Sequence, residues 1–349
     1  ATLYLRGAST LNGATPLILV DGIQRSDILG EIDPKEVESV SILKDASATA
    51  VFGVRGANGV IIITTKRGKE GKAHISASVE QSYTSFCRID SRVHSWNYMS
   101  LKNEALENDG MSAEYSDAVI AKFKNPLLGL SSSDANYAQE VIARKYLYCD
   151  HYWMKELFKT YTPQIKANVN ISGGTDKFSY FLNAGYIHQG GNLKTESKHQ
   201  LGYDPSSCMD RWNFRSNMDY NITKSLKAQL NIGTYIQSVN MPSTTTPDGS
   251  ATMQDIFYQA QFMMPCQAGP LTIDGYDVPA GAVVTADNMY RPPYDMINRR
   301  GFHHYTHVNI ASQFVLDWDL SKLITKGLNI KGMISYDSYG YTSQEGTKS

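Results

Sequence analysis

Three segments in the second half of the chain alternate apolar and polar residues with a strict period of two. In residues 210–221, Trp212, Phe214, Met218 and Tyr220 fall on one face and Asn213, Arg215, Asn217 and Asp219 on the other. In residues 225–237, Leu226, Ala228, Leu230, Ile232 and Ile236 oppose Lys227, Gln229, Asn231 and Gln237. Residues 307–320 set Val308, Ile310, Phe314, Leu316, Trp318 and Leu320 against Asn309, Gln313, Asp317 and Asp319. Only an extended strand puts alternate residues on opposite faces. These strands are too long and too polar on one side for a sandwich core. Their length and uncharged apolar face suit tilted strands with lipid on one side and a wet lumen on the other.

Weaker alternation over residues 164–172 and 327–337 extends the pattern. Seven strands are expected, at roughly 73–83, 164–172, 177–189, 210–221, 225–238, 305–320 and 326–338. The connections between them run long, short, medium, short, long, short. Membrane barrels have this rhythm, with tight turns on one side and long loops on the other. "GGTD" and "ITKS" are the tight turns, and residues 84–163 and 240–304 are the long loops. The first loop is too long to be structureless and contains the helix-like "YSDAVIAKF". Seven strands leave two sheet edges, which hydrocarbon does not tolerate, so the expectation is part of a larger barrel.

Residues 1–72 have a different texture. "PLILVDG" reads as a short buried strand closed by an Asp-Gly turn. Asp33, Pro34 and Glu36 predict a capping box that opens a short helix. "VESVSILK" is strand-like, "DASATAVFG" predicts a second short helix started by Asp45, and "GVIIITTKRG" a buried strand. This is a compact α+β unit. Its glycine-rich "GVRGANGV" lacks the lysine and hydroxyl that a phosphate loop needs, and it runs into a strand. Glycine there permits positive φ and close backbone approach instead.

A net charge of −1, with charges scattered along the chain, gives no footprint for nucleic acid. The apolar run "GVIII" is far below the ~20 residues of a membrane helix, so any membrane route uses strands. Cys87, Cys149, Cys208 and Cys266 are too scattered for a structural zinc site, and their pairing is left open. The start "ATLYLRG" shows no signal peptide; either none exists or the start is missing.

Taken together, "PLILVDGI", "IDPKEVESVSILKDASATAVFGVRGANGVIIITTKRGKEGK", "DHYWMKELFKTYTPQIKANVNISGGTDKFSYFLNAGYIHQGGNL" and "RWNFRSNMDYNITKSLKAQLNIG" resemble SusC/RagA-type TonB-dependent outer-membrane transporters of the Bacteroidetes kind. The resemblance is dense from Leu3 to about Lys72 and from about Tyr115 to Val239. It implies a mainly β fold: a transmembrane antiparallel β-barrel of about 22 strands, here represented by seven, around an N-terminal α+β plug. The plug would occupy residues 1–72 and the first part of the barrel residues 73–349. Implied partners are a SusD-like surface lipoprotein, TonB through a segment upstream, and outer-membrane lipid. The implied activity is energised import of a glycan or oligopeptide, with no cofactor and no catalytic residues. A soluble β-rich carbohydrate-binding module is the alternative reading.

Candidate plug-motif and plug–barrel residues are Arg6, Asp21, Gly22, Lys44, Asp45, Gly53, Arg55, Gly56, Asn58 and Gly59. Of these, Lys44, Asp45, Arg55 and Asn58 are expected to form ion pairs or hydrogen bonds, either to lumen residues such as Arg215 and Asp219 or only within the plug. Trp96, Trp153, Tyr258, Tyr290 and Tyr294 lie in the long loops and are candidates for contact with substrate or lid, with simple loop packing the role expected of any single one. His303, His304 and His307 have no acidic or cysteine partner at ligand spacing, so they are read as solvated residues at a strand start rather than a metal site.

Overall fold

A computed structural model describes residues 15–25, 28–44, 52–56, 58–87, 93–243, 253–267, 293–298 and 300–347. Arg6, Asp45 and Tyr290, and the helix expected from Asp45, lie outside the described residues.

The N-terminal sheet has four strands, β1 (Leu17–Val20), β2 (Ile23–Gln24), β3 (Val37–Leu43) and β4 (Val60–Thr65), in the order β2-β1-β4-β3. β1 and β4 pair in parallel, and β4 is the apolar run singled out above. A parallel strand covered on both faces needs apolar residues at consecutive positions. Ile61 and Ile63 pack with Val20 and Ile32 on one side, and Val60 with Leu17 and Leu19 on the other. The β1–β2 turn has positive φ at Asp21 (50°) and Gly22 (88°), the geometry an Asp-Gly hairpin favours. The Asp21 carboxylate accepts from the Thr65 amide (2.9 Å) and hydroxyl (2.6 Å), tying the turn to the end of β4.

The second sheet is an antiparallel meander of seven strands in sequence order. These are β5 (Gly71–Thr84), β6 (Thr162–Gly174), β7 (Phe178–Gly190), β8 (Cys208–Asn221), β9 (Leu226–Pro242), β10 (Gly301–Asp319) and β11 (Asn329–Thr347). It is one continuous sheet, not the two facing sheets of a sandwich, and among the described residues β5 and β11 are its edges. Its burial is the reverse of a soluble sheet's. Asn213, Asn217 and Asp219 are 4%, 1% and 8% exposed, whereas Trp212, Phe214 and Tyr220 are 44%, 43% and 48% exposed. The alternation read from the sequence is therefore present with its polar side inward.

β10 begins four residues before its expected start and β11 ends nine residues after its expected end, with an unbroken register from Gly301↔Thr347 to Asp319↔Asn329. Nineteen residues span roughly 60 Å at about 3.3 Å per residue, more than twice the height of an apolar band. Much of the extra length is polar sequence such as "TSQEG" in β11, where alternation of hydrophobicity stops but backbone pairing continues.

The long connections are structured. Residues 84–163 carry helices at Ser95–Asn108, Asp117–Lys124, Tyr137–Leu147 and Trp153–Leu157, the second being the expected one. Further helices span Lys198–Leu201, Met253–Phe262 and Pro293–Asn298. Trp153, Leu157, Phe158, Leu193, Ile256, Met263 and Ile297 form one core from three connections at the same end of the sheet.

The capping box is only half formed. Asp33 accepts from the Lys35 amide (2.8 Å) and Pro34 opens the turn, but the helix is a single 3-10 turn, Pro34–Glu36. Glu36 points away to a stronger partner.

Candidate functional site

The inward positions of β8 form a ladder on which the N-terminal sheet is docked. Asp219 accepts from the Arg67 guanidinium at 2.8 Å. Two residues on, Asn217 donates to the Thr65 hydroxyl (2.8 Å) and the Lys66 carbonyl (2.7 Å). Arg215 Nε donates to Glu36 Oε2 at 2.6 Å. Asn213 Nδ2 and Arg211 Nη2 both donate to the Glu31 carbonyl at 2.6 Å. Five consecutive inward side chains, one every second residue, thus hold the layer, as period-two geometry allows.

Neighbouring strands add to it. Asn168 on β6 donates to Asp33 Oδ2 (3.1 Å), and Asn309 and Gln313 on β10 donate to Glu31 Oε2 (2.6 Å) and the Asp21 carbonyl (3.1 Å). Arg25 pairs with Asp337 on β11 at 3.2 Å. Close approach needs gaps in the wall. A Cβ at Gly185 would lie 2.7 Å from Asp33 Oδ2, and one at Gly233 3.0 Å from the Arg215 guanidinium that crosses it.

Among the ion pairs of the described residues Glu36–Arg215 is the most enclosed, with side chains 2% and 9% exposed. Burial pushes the Glu36 carboxyl above the ordinary carboxylate range, and Arg215 pulls against that shift without cancelling it. Its second oxygen is buried without a hydrogen-bond partner. Burial likewise lowers the Arg25 guanidinium, opposed by Asp337. Such groups are held by their partners rather than by water, so the interface is strong only while it stays registered.

The expected plug residues have other roles. Asp21 uses its carboxylate within the N-terminal sheet and only its carbonyl toward the wall. Gly22 sits in the same turn. Lys44 is exposed at the end of β3. Gly53–Gly56 is a 3-10 turn whose Arg55 donates to Gln24 Oε1 at 3.0 Å. Asn58 donates to the Thr15 carbonyl at 3.5 Å, and the Gly59 carbonyl accepts from the Leu17 amide at 3.0 Å. Arg55 and Asn58 therefore stitch the N-terminal sheet; Arg215 and Asp219 are reached by Glu36 and Arg67 instead. The one sequence signal for that pairing is charge: Arg211, Arg215 and Asp219 share a face of β8, and Glu31, Glu36 and Arg67 flank the N-terminal strands.

Among the loop aromatics, Trp153 is corrected: it is 3% exposed, its indole donates to the Met264 carbonyl (2.9 Å), and it is core rather than a contact surface. Trp96 stacks on His94 at 4.4 Å, Tyr294 donates to Glu196, and Tyr258 is exposed beside Phe262 at 4.3 Å. His303, His304 and His307 bond to Ser343, Ser238 and Tyr339, and no group of three metal-ligating side chains occurs among the described residues. All four cysteines are free thiols, with buried Cys149 pushed up to about 12 by desolvation.

Residues 1–60 match the family model "TonB-dependent Receptor Plug Domain". The chain is 31% identical over 206 residues to the TonB-dependent receptor SusC of Bacteroides thetaiotaomicron, covering 56% of this chain and 17% of that protein. It is 27% identical over 247 residues to the TonB-dependent receptor P26 of Formosa agariphila, covering 69% and 21%. The chain thus spans about a fifth of the length of these relatives. A solved structure of the RagAB peptide transporter shares the fold, with a TM-score of 0.68, 23% identity, and coverage of 95% of this chain and 35% of that one. Plug match, relatives and shared fold together support a fragment of a SusC/RagA-type TonB-dependent transporter.

Proposed function

We propose that this chain is the plug (residues 1–72) and first barrel strands (residues 73–349) of an energised nutrient importer in the outer membrane. One observation supports the reading: a seven-stranded sheet with apolar side chains outward holds a four-stranded layer against its polar inward face. A sheet of this kind spans a membrane; a layer bonded across its lumen blocks passage until something moves it. In this reading a SusD-like surface lipoprotein closes over the outer mouth, where the helices of the long connections cluster. A glycan or oligopeptide is captured beneath it, and TonB pulls on the plug to release it inward.

The polar character of the plug–barrel contact supports this role. Hydrogen bonds and ion pairs exchange readily for water once a gap opens, whereas an apolar interface would resist wetting. No residue is assigned a catalytic role. In the full-length protein, deleting the TonB-contacting segment should abolish uptake and leave binding at the cell surface intact. Uptake that continues without that segment would sink the energised mechanism.

A further inference from the structure

We infer that the contact between the N-terminal layer and the wall contains a buried water site centred on the Arg215 guanidinium, where four carboxylate and carboxamide oxygens converge without a donor. The site concerns how the two bodies are joined and stands independently of the importer reading.

Three of the four oxygens end amide relays whose direction the layer dictates. A carboxamide has one donating and one accepting end, and which is which follows from what each must bond. A carboxylate or a backbone carbonyl only accepts. Asp33 Oδ2 accepts from Asn168 (3.1 Å), Asn168 Oδ1 from Asn170 (2.8 Å), and Asn170 Oδ1 from Asn183 (2.7 Å). Every amide in that line is thereby oriented, and Asn183 Oδ1 is left over. Likewise the Asp21 carbonyl accepts from Gln313 (3.1 Å) and Gln313 Oε1 from Asn231 (3.1 Å), which leaves Asn231 Oδ1. The Lys66 carbonyl fixes Asn217 at 2.7 Å and leaves its Oδ1. The fourth oxygen is Glu36 Oε1.

The strand register gathers them. Asn183 faces Arg215 from β7, Asn217 follows two residues on along β8, and Asn231 faces Asn217 from β9. Opposite residues on one face of a sheet have Cβ atoms about 5 Å apart. All four residues are buried, and none of the four oxygens has a hydrogen-bond partner. Each is an acceptor, so no member of the group can satisfy another. Spare donors stand at the centre: of the N–H groups of Arg215, Nε alone bonds to a described residue. Its guanidinium lies over Gly233, where a Cβ would stand 3.0 Å from Nη2, and it makes no bond to the asparagine oxygens. Water fits the gap because it accepts from one group and donates to two. A cavity of about 20 Å³ lined by Glu36, Arg215, Asn213 and Gly233 has room for one molecule. Leaving these atoms unpaired costs more than immobilising that water. A metal cation is disfavoured there, because it would adjoin the guanidinium charge.

The test is a density map of the full-length protein at a resolution that shows ordered water. A peak should lie at hydrogen-bond distance, about 2.7–3.2 Å, from an Arg215 Nη and from at least one of the four oxygens. In Gly233→Ala, whose Cβ enters the cavity, that peak should be lost. No peak beside Arg215, a peak at the roughly 2.4 Å of a metal–oxygen bond, or a peak unchanged in Gly233→Ala would overturn the site. The first two outcomes are read on the unaltered protein, so the site is decided even where the variant does not fold.

Discussion

Arg215 and Glu36 show how little freedom a single residue has at this interface. Replacing Arg215 with Met leaves the Glu36 carboxyl enclosed without a counter-charge, and breaking one side of a buried pair costs about 3–5 kcal/mol. Hydrogen exchange across residues 31–43 of the full-length protein should accelerate in Arg215→Met; unchanged protection there would count against the docked arrangement. The same carboxyl sets a pH dependence. Its value is raised on docking, so as pH climbs through the ordinary carboxylate range the undocked form loses its proton first. Docking is tightest below that range and weakens until pH passes the raised value, and Glu36→Gln should flatten this response in the same exchange experiment. Neither residue's partner was legible in the sequence. Glu36 sits where a capping box would place it, and only a fold that brings Arg215 within 2.6 Å reveals the competing use.

Strands were the most legible elements, because period two is written directly in the side chains. Their interiors and order follow from alternation and connection length, while their ends do not: backbone pairing in β10 and β11 continues after the hydrophobic signal stops. Helices of the long connections were only partly visible, since their apolar residues pack against other connections rather than along one stripe. Trp153 illustrates the limit, for a tryptophan in a long loop reads as a contact residue until the Met264 carbonyl and Leu193 are found around it. Two predictions belong at this scale. Phe214→Arg on the outward face of β8 should cost roughly 2–4 kcal/mol if it lies near the bilayer midplane and less toward a rim, measured by urea unfolding in lipid vesicles. Gly185→Val should displace Asp33, because its Cβ has no room, and should raise protease sensitivity of the N-terminal layer while leaving the barrel strands resistant.

At the scale of the whole molecule, two bodies with opposite design rules share one surface. The N-terminal sheet buries apolar side chains inside and offers polar groups to the wall; the seven-stranded sheet is polar inside and apolar outside, and the two meet through polar groups. Residue 71, where β5 begins, is where the rule inverts, and the change in sequence texture after Lys72 marks it. The ladder on β8 also bears on how such a protein can change over generations. Five successive inward positions, from Arg211 to Asp219, each answer a group between Glu31 and Arg67. A strand borrowed from a relative that differs at these positions would arrive with the wrong complement, and so would a borrowed inner layer. The two stretches, some 150 residues apart in the chain, therefore behave as one heritable unit, and a chimera that exchanges both should fold where exchange of either alone does not.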